Sequence, residues 1–151
     1  MSRYDQLNVY DFERPGVVSI WVATVPLSRI PKNYLKENGD NEDGPFNRFS
    51  ADFGFAGGYD HDTVDTNASP GRAKSIADLL GECSYSSSFV GRAAAEAKKR
   101  GLDKTQFVFL LYDARYPARR TKITKSEFME FLGCFPYDDE APNAVSHEDD
   151  E

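Results

Sequence analysis

The sequence predicts an α+β or α/β fold, and two apolar segments carry that prediction. Gln106–Tyr112 contains an unbroken apolar run, Phe107–Leu111, which is typical of a central strand covered on both faces. A second run, Val17–Val25, is rich in β-branched residues and stops at Pro26, which cannot donate to a strand ladder. Because a long stretch of chain separates the two strands and both sheet faces need a cover, we expect helices between them.

Shorter patterns predict the other strands. Leu7 and Val9 suit a short edge strand. Phe46–Phe55 places apolar residues at every second position from Phe49 onward, which predicts a half-exposed strand. Cys134–Tyr137 is a last edge strand, whereas 66–71 has the composition of a loop. The expected core is therefore a mixed sheet of about four strands in a single small domain.

Roughly three or four helices should pack on this sheet. The segments with helical patterns are Ser28–Glu37, Lys74–Leu80, Phe89–Arg100 and Phe128–Leu132. Ser28 is a candidate N-cap with Pro31 in the first turn, and Ser84–Ser88 offers N-cap residues for the third helix. Thr124–Glu127 has the form of a capping box, which predicts the start of the fourth helix.

Composition predicts one folded domain with a charged tail. The 151 residues are 40% hydrophobic and 13% aromatic, which suffices for a core. Residues 138–151 contain seven acidic and no basic residues, so we expect a domain over 1–137 and a disordered acidic tail over 138–151. No segment reads as a signal peptide or a membrane span, which predicts a cytoplasmic protein with no membrane partner.

Charge is unevenly distributed within the predicted domain. The segment 37–65 holds eight acidic residues against Arg48 alone, and 92–125 holds ten basic against three acidic residues. The acidic segment is either a solvated loop or a surface for a basic protein partner. Its candidate partner-binding residues are Asp52, Phe55, Tyr59, Asp60, His61, Asp62 and Asp65.

The basic segment raises nucleic-acid binding as the alternative function. Arg115, Arg119 and Arg120 could contact phosphates, and Tyr112 and Tyr116 could stack on bases. Half of the positive charge, however, lies on or just past the polar side of one predicted helix, where a solvated face is the usual outcome. A nucleic-acid partner is therefore the less favoured interpretation.

Sequence motifs argue against an enzyme. Asp60–Asp62 surrounds the only histidine of the predicted domain, His61, but lacks the spacing of a helical metal pair and suits a solvated loop. The chain contains no nucleophile elbow and no phosphate-binding loop. Cys83 and Cys134 match no short-spaced zinc pattern and are expected to be free thiols. We therefore predict no catalytic residues, no metal and no cofactor.

The order of several short motifs resembles the immunity protein 22 family of bacterial polymorphic toxin systems, over about 16–137. The motifs are Val18–Val22, Tyr34–Leu35, Asp52–Phe55, Tyr59–Asp62, Leu79–Leu80, Ser84–Phe89, Leu110–Asp113 and Phe131–Tyr137. The chain departs from the family at Ala23, where glycine is frequent, and at Thr63, where an aromatic residue is usual. The resemblance implies a small cytoplasmic α+β protein that blocks a cognate toxin domain, for which a nuclease is one candidate, without cofactor or turnover. It leaves the oligomeric state open.

Overall fold

The computed structural model describes residues 7–38 and 44–144, which form an α+β domain around a four-stranded antiparallel sheet. Its strands are β1 (Glu13–Ala23), β2 (Val64–Ala68), β3 (Lys74–Ser75), β4 (Lys104–Thr105), β5 (Phe107–Ala114) and β6 (Met129–Pro136), and its helices are α1 (Arg48–Asp52), α2 (Ile76–Gly81), α3 (Val90–Lys99) and α4 (Ala118–Thr121). The main sheet has the order β2-β5-β1-β6, and β3 pairs with β4 separately. The predicted fold class is confirmed, with antiparallel pairing throughout the main sheet where a mixed sheet was expected.

The two strands predicted from apolar runs lie at the centre of the sheet. β5 is hydrogen-bonded to β2 on one side and to β1 on the other, and β1 also pairs with β6. Trp21 stands opposite Phe109 of β5 and Phe131 of β6. Both strands are thus covered on both edges and both faces, which explains why neither shows polar alternation.

Two helices cover one face of the sheet. α2 and α3 lie where their apolar patterns predicted helices, and the Ser75 hydroxyl accepts the Asp78 backbone N–H at the start of α2. Ala93 and Ala97 are fully buried in the core cluster that also contains aliphatic residues of β1 and β5. The serines before α3 do not cap it, because Ser86–Ser88 forms a 3-10 turn and the N-cap position, Phe89, has no side-chain hydrogen bond.

Loops and short turns cover the opposite face, and they bury an aromatic cluster there. Its members are Phe12, Trp21, Tyr34, Phe49, Phe53, Phe55, Tyr59, Phe107, Phe109, Tyr116, Phe128 and Phe131. The Trp21 ring lies 5.2 Å from the Phe49 ring and 5.1 Å from the Phe131 ring, centroid to centroid. Its indole N–H has no hydrogen-bond partner among the described residues.

The predicted strand over Phe46–Phe55 is wrong. The segment contains α1, which Asn47 begins by accepting the Ser50 backbone N–H, 2.8 Å away, with its side chain. Phe49, Phe53 and Phe55 are all fully buried in the aromatic cluster. An apolar residue at every second position therefore reflects one helical turn followed by a sharp chain reversal at this site, not alternating sheet faces.

Two further predictions near the amino end are wrong. Leu7 and Val9 do not form an edge strand; Val9–Asp11 is a 3-10 turn, and Asn8 makes an isolated bridge with Gly58. The helix predicted over 28–37 is replaced by a 3-10 turn at 27–29 and a second turn at 32–35. Ile30 has an extended backbone before Pro31, as proline requires of the residue that precedes it.

The later part of the chain needs two corrections as well. Residues predicted as a helix over Phe128–Leu132 belong largely to β6, because the segment pairs with β1 and the Ser126 hydroxyl accepts the Phe128 and Met129 N–H groups. Tertiary pairing here overrides a local capping pattern. The loop predicted over 66–71 begins later than expected, since β2 extends to Ala68.

The start of the predicted acidic tail lies along the turn before α3. Backbone N–H groups of Ser87 and Tyr85 donate to the Pro142 carbonyl and the Asn143 side chain, and the Ala144 N–H donates to the Ser86 hydroxyl. The rest of the tail, 145–151, lies outside the described residues. A domain boundary at residue 137 therefore stays a prediction.

Candidate partner-binding surface

A short acidic turn leads from the aromatic cluster to the edge of the sheet. His61–Thr63 is a 3-10 turn, and the Asp60 carboxylate caps it by accepting the Asp62 backbone N–H at 3.0 Å. The Thr63 hydroxyl donates to the Asp60 carbonyl at 2.7 Å. The side chains of Asp60, His61 and Asp62 are all exposed. We call residues 60–62 the acidic turn.

Gly58 and Tyr59 fasten the acidic turn to the core. Gly58 has φ +98°, and a Cβ there would lie 2.4 Å from the ring of Phe46, so only glycine fits. Tyr59 is buried, and its hydroxyl accepts a 2.7 Å hydrogen bond from the Asn47 amide. The acidic turn therefore starts from a fixed point in the core.

A single ion pair connects the acidic turn to a distant part of the chain. His61 Nδ1 lies 2.9 Å from Glu37 Oε2, with the His61 side chain 75% exposed and that of Glu37 27% exposed. Hydrogen bonding and attraction from Glu37 raise the pKa of His61, and Asp62 and Asp60 add smaller effects in the same direction. The histidine thus carries positive charge over a wider pH range than a free imidazole.

Two of the predicted contact residues have structural roles. Asp52 accepts a 2.8 Å hydrogen bond from the Tyr34 hydroxyl. Burial, more than this hydrogen bond, raises the pKa of Tyr34. Asp65 accepts the backbone N–H groups of Ser84 and Thr66, each at 2.9 Å. Both carboxylates are half-buried and already satisfied within the domain.

Asp65 also contributes to closing the outer edge of β2. The Ser69 N–H donates to the Gln106 carbonyl of the chain entering β5, so alternate residues of β2 turn their N–H groups away from β5. Those of Thr66 and Ala68 are accepted by the side chains of Asp65 and Asn67. The donors that an added strand would need at these two positions are therefore occupied.

Phe55 and Tyr59 do not reach the surface. Phe55 is 0% exposed and Tyr59 is 7% exposed, because both rings belong to the aromatic cluster. The Phe55 ring packs against Trp21 on one side and against Tyr59 on another. The prediction that they anchor a partner needs correction, since a core ring cannot fill a partner's pocket. Of the predicted contact residues, the exposed ones are Asp60, His61 and Asp62.

Glu37 belongs to this surface, although the sequence did not identify it as a contact residue. It lies 24 positions before His61, and no local pattern relates the two residues. The only signal was its place at the start of the acidic segment 37–65.

The basic segment does not form a stacking surface. Tyr112 and Tyr116 are 8% and 3% exposed, so neither ring is available to a base. Arg100 donates to the Leu132 and Phe131 carbonyls of β6 and pairs with Glu130 at 2.9 Å. Arg115, Arg119 and Arg120 are exposed. The exposed positive charge is therefore the one observation that favours nucleic-acid binding, since no aromatic ring of this segment is placed to stack on a base.

Both cysteines are free thiols, and Cys83 is buried whereas Cys134 is half-buried. Cys83 is 1% exposed, and its burial, reinforced by the Asp65 and Glu82 charges, raises its pKa to about 12. Burial also raises the pKa of Cys134. Both thiols are therefore protonated near neutral pH, and a protonated thiol is a poor nucleophile and a poor metal ligand.

Within 7–38 and 44–144, no group of three or more His, Cys, Asp or Glu side chains is placed to hold a metal ion. None of the helices in this part of the chain has the length and apolar character to cross a bilayer.

Comparison with known proteins gives one clear similarity. A family model described as immunity protein 22 matches residues 18–138 of the 151. The match spans all four strands of the main sheet and both helices on its helical face, although it omits the first residues of β1. Searches of the curated proteins and of the solved structures return no significant match.

Proposed function

Since the chain belongs to the immunity protein 22 family, we propose that it binds a cognate bacterial toxin domain and neutralises it by covering the toxin's active surface. The family match is the observation that carries the proposal. Inhibition of this kind requires a surface and no catalytic group, which agrees with protonated thiols and with an exposed histidine already paired to Glu37. The expected site of action is the cytoplasm of the bacterium that makes the toxin.

The acidic turn is the part of the surface proposed to face the toxin. Asp60 and Asp62 present two carboxylates on one short turn that Tyr59 and Gly58 hold in place. A preformed turn loses little conformational entropy on binding. Exposed carboxylates attract a basic partner over about a Debye length. If the toxin is a nuclease, these carboxylates would occupy positions that nucleic-acid phosphates take.

Neutralisation is tested with candidate toxin domains taken from the genes that flank this one. Co-expression should restore growth to cells that make the toxin, and the purified proteins should elute as one complex. The purified chain alone should leave the toxin's substrate unchanged. Growth arrest that persists although both proteins are soluble would contradict the proposal.

The contact surface is tested separately by charge reversal. We expect Asp60→Lys with Asp62→Lys to slow association by about tenfold at low salt, with little change in dissociation, because exposed charges act mainly on encounter. High salt should remove the difference. Stopped-flow mixing measures both rates.

Asp138→Lys with Asp139→Lys is the matched control, since both residues are exposed and the change in net charge is the same. It should associate at the parental rate. If both double variants are slowed equally, the effect is one of net charge, and the acidic turn is not the contact surface.

A further inference from the structure

We propose that the end of the sheet where β1 finishes and β5 begins carries a groove that binds an extended acidic polypeptide segment. Three stretches of chain meet there: 23–35 from the end of β1 onward, 70–73 after β2, and 101–107 leading into β5. We call this depression the sheet-end groove. Its walls contain no residue of the acidic turn, and the inference does not depend on the identity of a toxin.

The sheet-end groove is elongated because it consists of three adjoining cavities. Their volumes are about 270, 390 and 490 Å³. The first and second share Leu27 as a wall, and the second and third share Pro26, Gly71 and Gln106. Each is comparable in size to a small-ligand pocket, and cavities in a row suit an extended chain better than a compact ligand.

Hydrogen bonds hold the groove open before any partner arrives. The Gln106 side chain accepts the Leu27 backbone N–H, and the Gln106 carbonyl accepts the Ser69 N–H. The buried Thr105 hydroxyl donates to the Ala23 carbonyl at 2.8 Å. The loops that form the walls are thus tied to one another, so a partner would meet a preformed surface.

One end of the groove is apolar. Leu27, Ile30 and Leu35 are half-buried there, above the buried rings of Tyr34 and Phe107. These side chains provide a site for one apolar side chain of the partner, and its burial would add to affinity.

The charge of the groove selects an acidic partner. The charged residues in its walls are Lys32 and Lys104, and both are exposed. Arg29 and Arg72 are exposed immediately beside wall residues, against one acidic neighbour, Asp103. Complementarity therefore requires carboxylates on the partner.

A polypeptide fits this surface better than a nucleic acid. Single strands are held by exposed aromatic rings on which bases stack, whereas the two rings that line the groove, Tyr34 and Phe107, are 1% and 9% exposed. The partner that combines carboxylates with an apolar anchor is an acidic peptide segment containing one leucine or phenylalanine.

The test uses a fluorescein-labelled peptide with alternating glutamates around a central leucine, titrated with the full chain and followed by anisotropy. The parent should bind it at least about tenfold more tightly than a peptide with lysine at every glutamate position. Lys32→Glu with Lys104→Glu should weaken binding about tenfold at low salt and less at high salt. Ser28→Trp, which fills the middle of the groove from an exposed position, should abolish peptide binding at both low and high salt.

Arg119→Glu with Arg120→Glu is the matched control, because it changes net charge equally at exposed residues outside the groove walls. Affinity within about twofold of the parent is expected. Three results would overturn the proposal: no binding by the parent, equal loss in the control, or a single-stranded oligonucleotide that binds the parent and is blocked by Ser28→Trp.

Discussion

The two faces of the main sheet are covered in different ways. On the helical face, α2 and α3 bury aliphatic residues and two alanines, Ala93 and Ala97. On the aromatic face, one five-residue helix and several short turns bury twelve aromatic rings. Both covers exclude water from the same two central strands, yet only the first is built from regular structure.

The difference lies in how the backbone of each cover is satisfied. A helix pairs its own N–H and C=O groups, so it needs only an apolar stripe to pack. A loop must find partners elsewhere, and here both the backbone of other loops and side chains supply them. The buried Ser19 hydroxyl donates to the Ala114 carbonyl and accepts the Tyr116 N–H, and the Tyr116 hydroxyl lies 2.6 and 2.7 Å from the Phe53 and Ile123 carbonyls.

The largest expected effect is on the free energy of unfolding, when one fully buried side chain is removed from each face of the sheet. Phe49→Ala should lower the free energy of unfolding by about 3–5 kcal/mol, since the fully buried ring contacts Trp21 and Phe109. Leu80→Ala, equally buried on the helical face, should cost about 2–5 kcal/mol. Urea denaturation measures both losses.

The same urea titrations test whether the two faces unfold together or separately. Trp21 is the single tryptophan and lies in the aromatic cluster, so its fluorescence reports that face, while far-ultraviolet circular dichroism is dominated by the helices. The two signals should change together in the parent and in both variants. A fluorescence transition at lower urea would mean that the aromatic cover unfolds on its own.

A smaller effect is expected from removing one hydroxyl on each face. Tyr116→Phe should cost about 1–3 kcal/mol, because the buried Phe53 carbonyl and the half-buried Ile123 carbonyl lose their donor or their polar neighbour. Tyr112→Phe removes one hydrogen bond, to the Ser84 carbonyl, and should cost about 0.5–1.5 kcal/mol. Equal losses, measured by urea denaturation, would show that the loops do not depend on side-chain partners more than the helices do.

The smallest expected effect concerns pH and the loop that borders the aromatic face. Glu37 raises the pKa of His61, so the ion pair contributes stability in full below the ordinary histidine value of about 6.5 and loses it as pH rises through the raised pKa. Glu37→Gln should therefore reduce stability more at about pH 5.5 than at about pH 8.5. Nuclear magnetic resonance titration should place the His61 pKa lower in the variant; an unchanged value would mean that the pair does not form in solution.

The contrast between the faces also explains which elements could be predicted from the sequence. α3 and β5 follow from local patterns, because burial on a helix stripe or on both sheet faces leaves a direct trace in residue order. The spacing of Phe49, Phe53 and Phe55 also implies burial but fits either a strand or a turn of helix. The fold that decides between them depends on contacts with Trp21 and Tyr116, far away in the chain.

The candidate surface was predictable to a similar degree. Asp60 and Asp62 are exposed, as a polar segment of this composition indicates. Phe55 and Tyr59 could not be assigned from sequence, since an aromatic residue among carboxylates is equally able to be an interface anchor or a core residue. Glu37 was missed because its relation to His61 exists only in three dimensions.

The edge of β2 bears on self-association of the protein at high concentration. Thr66 and Ala68 donate to the side chains that precede them, and Asn67 also ties the strand to the Leu79 carbonyl of α2. A neighbouring molecule finds few free donors there on which to extend the sheet. Pairing of β2 edges between molecules is therefore disfavoured, even where the protein accumulates to a high concentration.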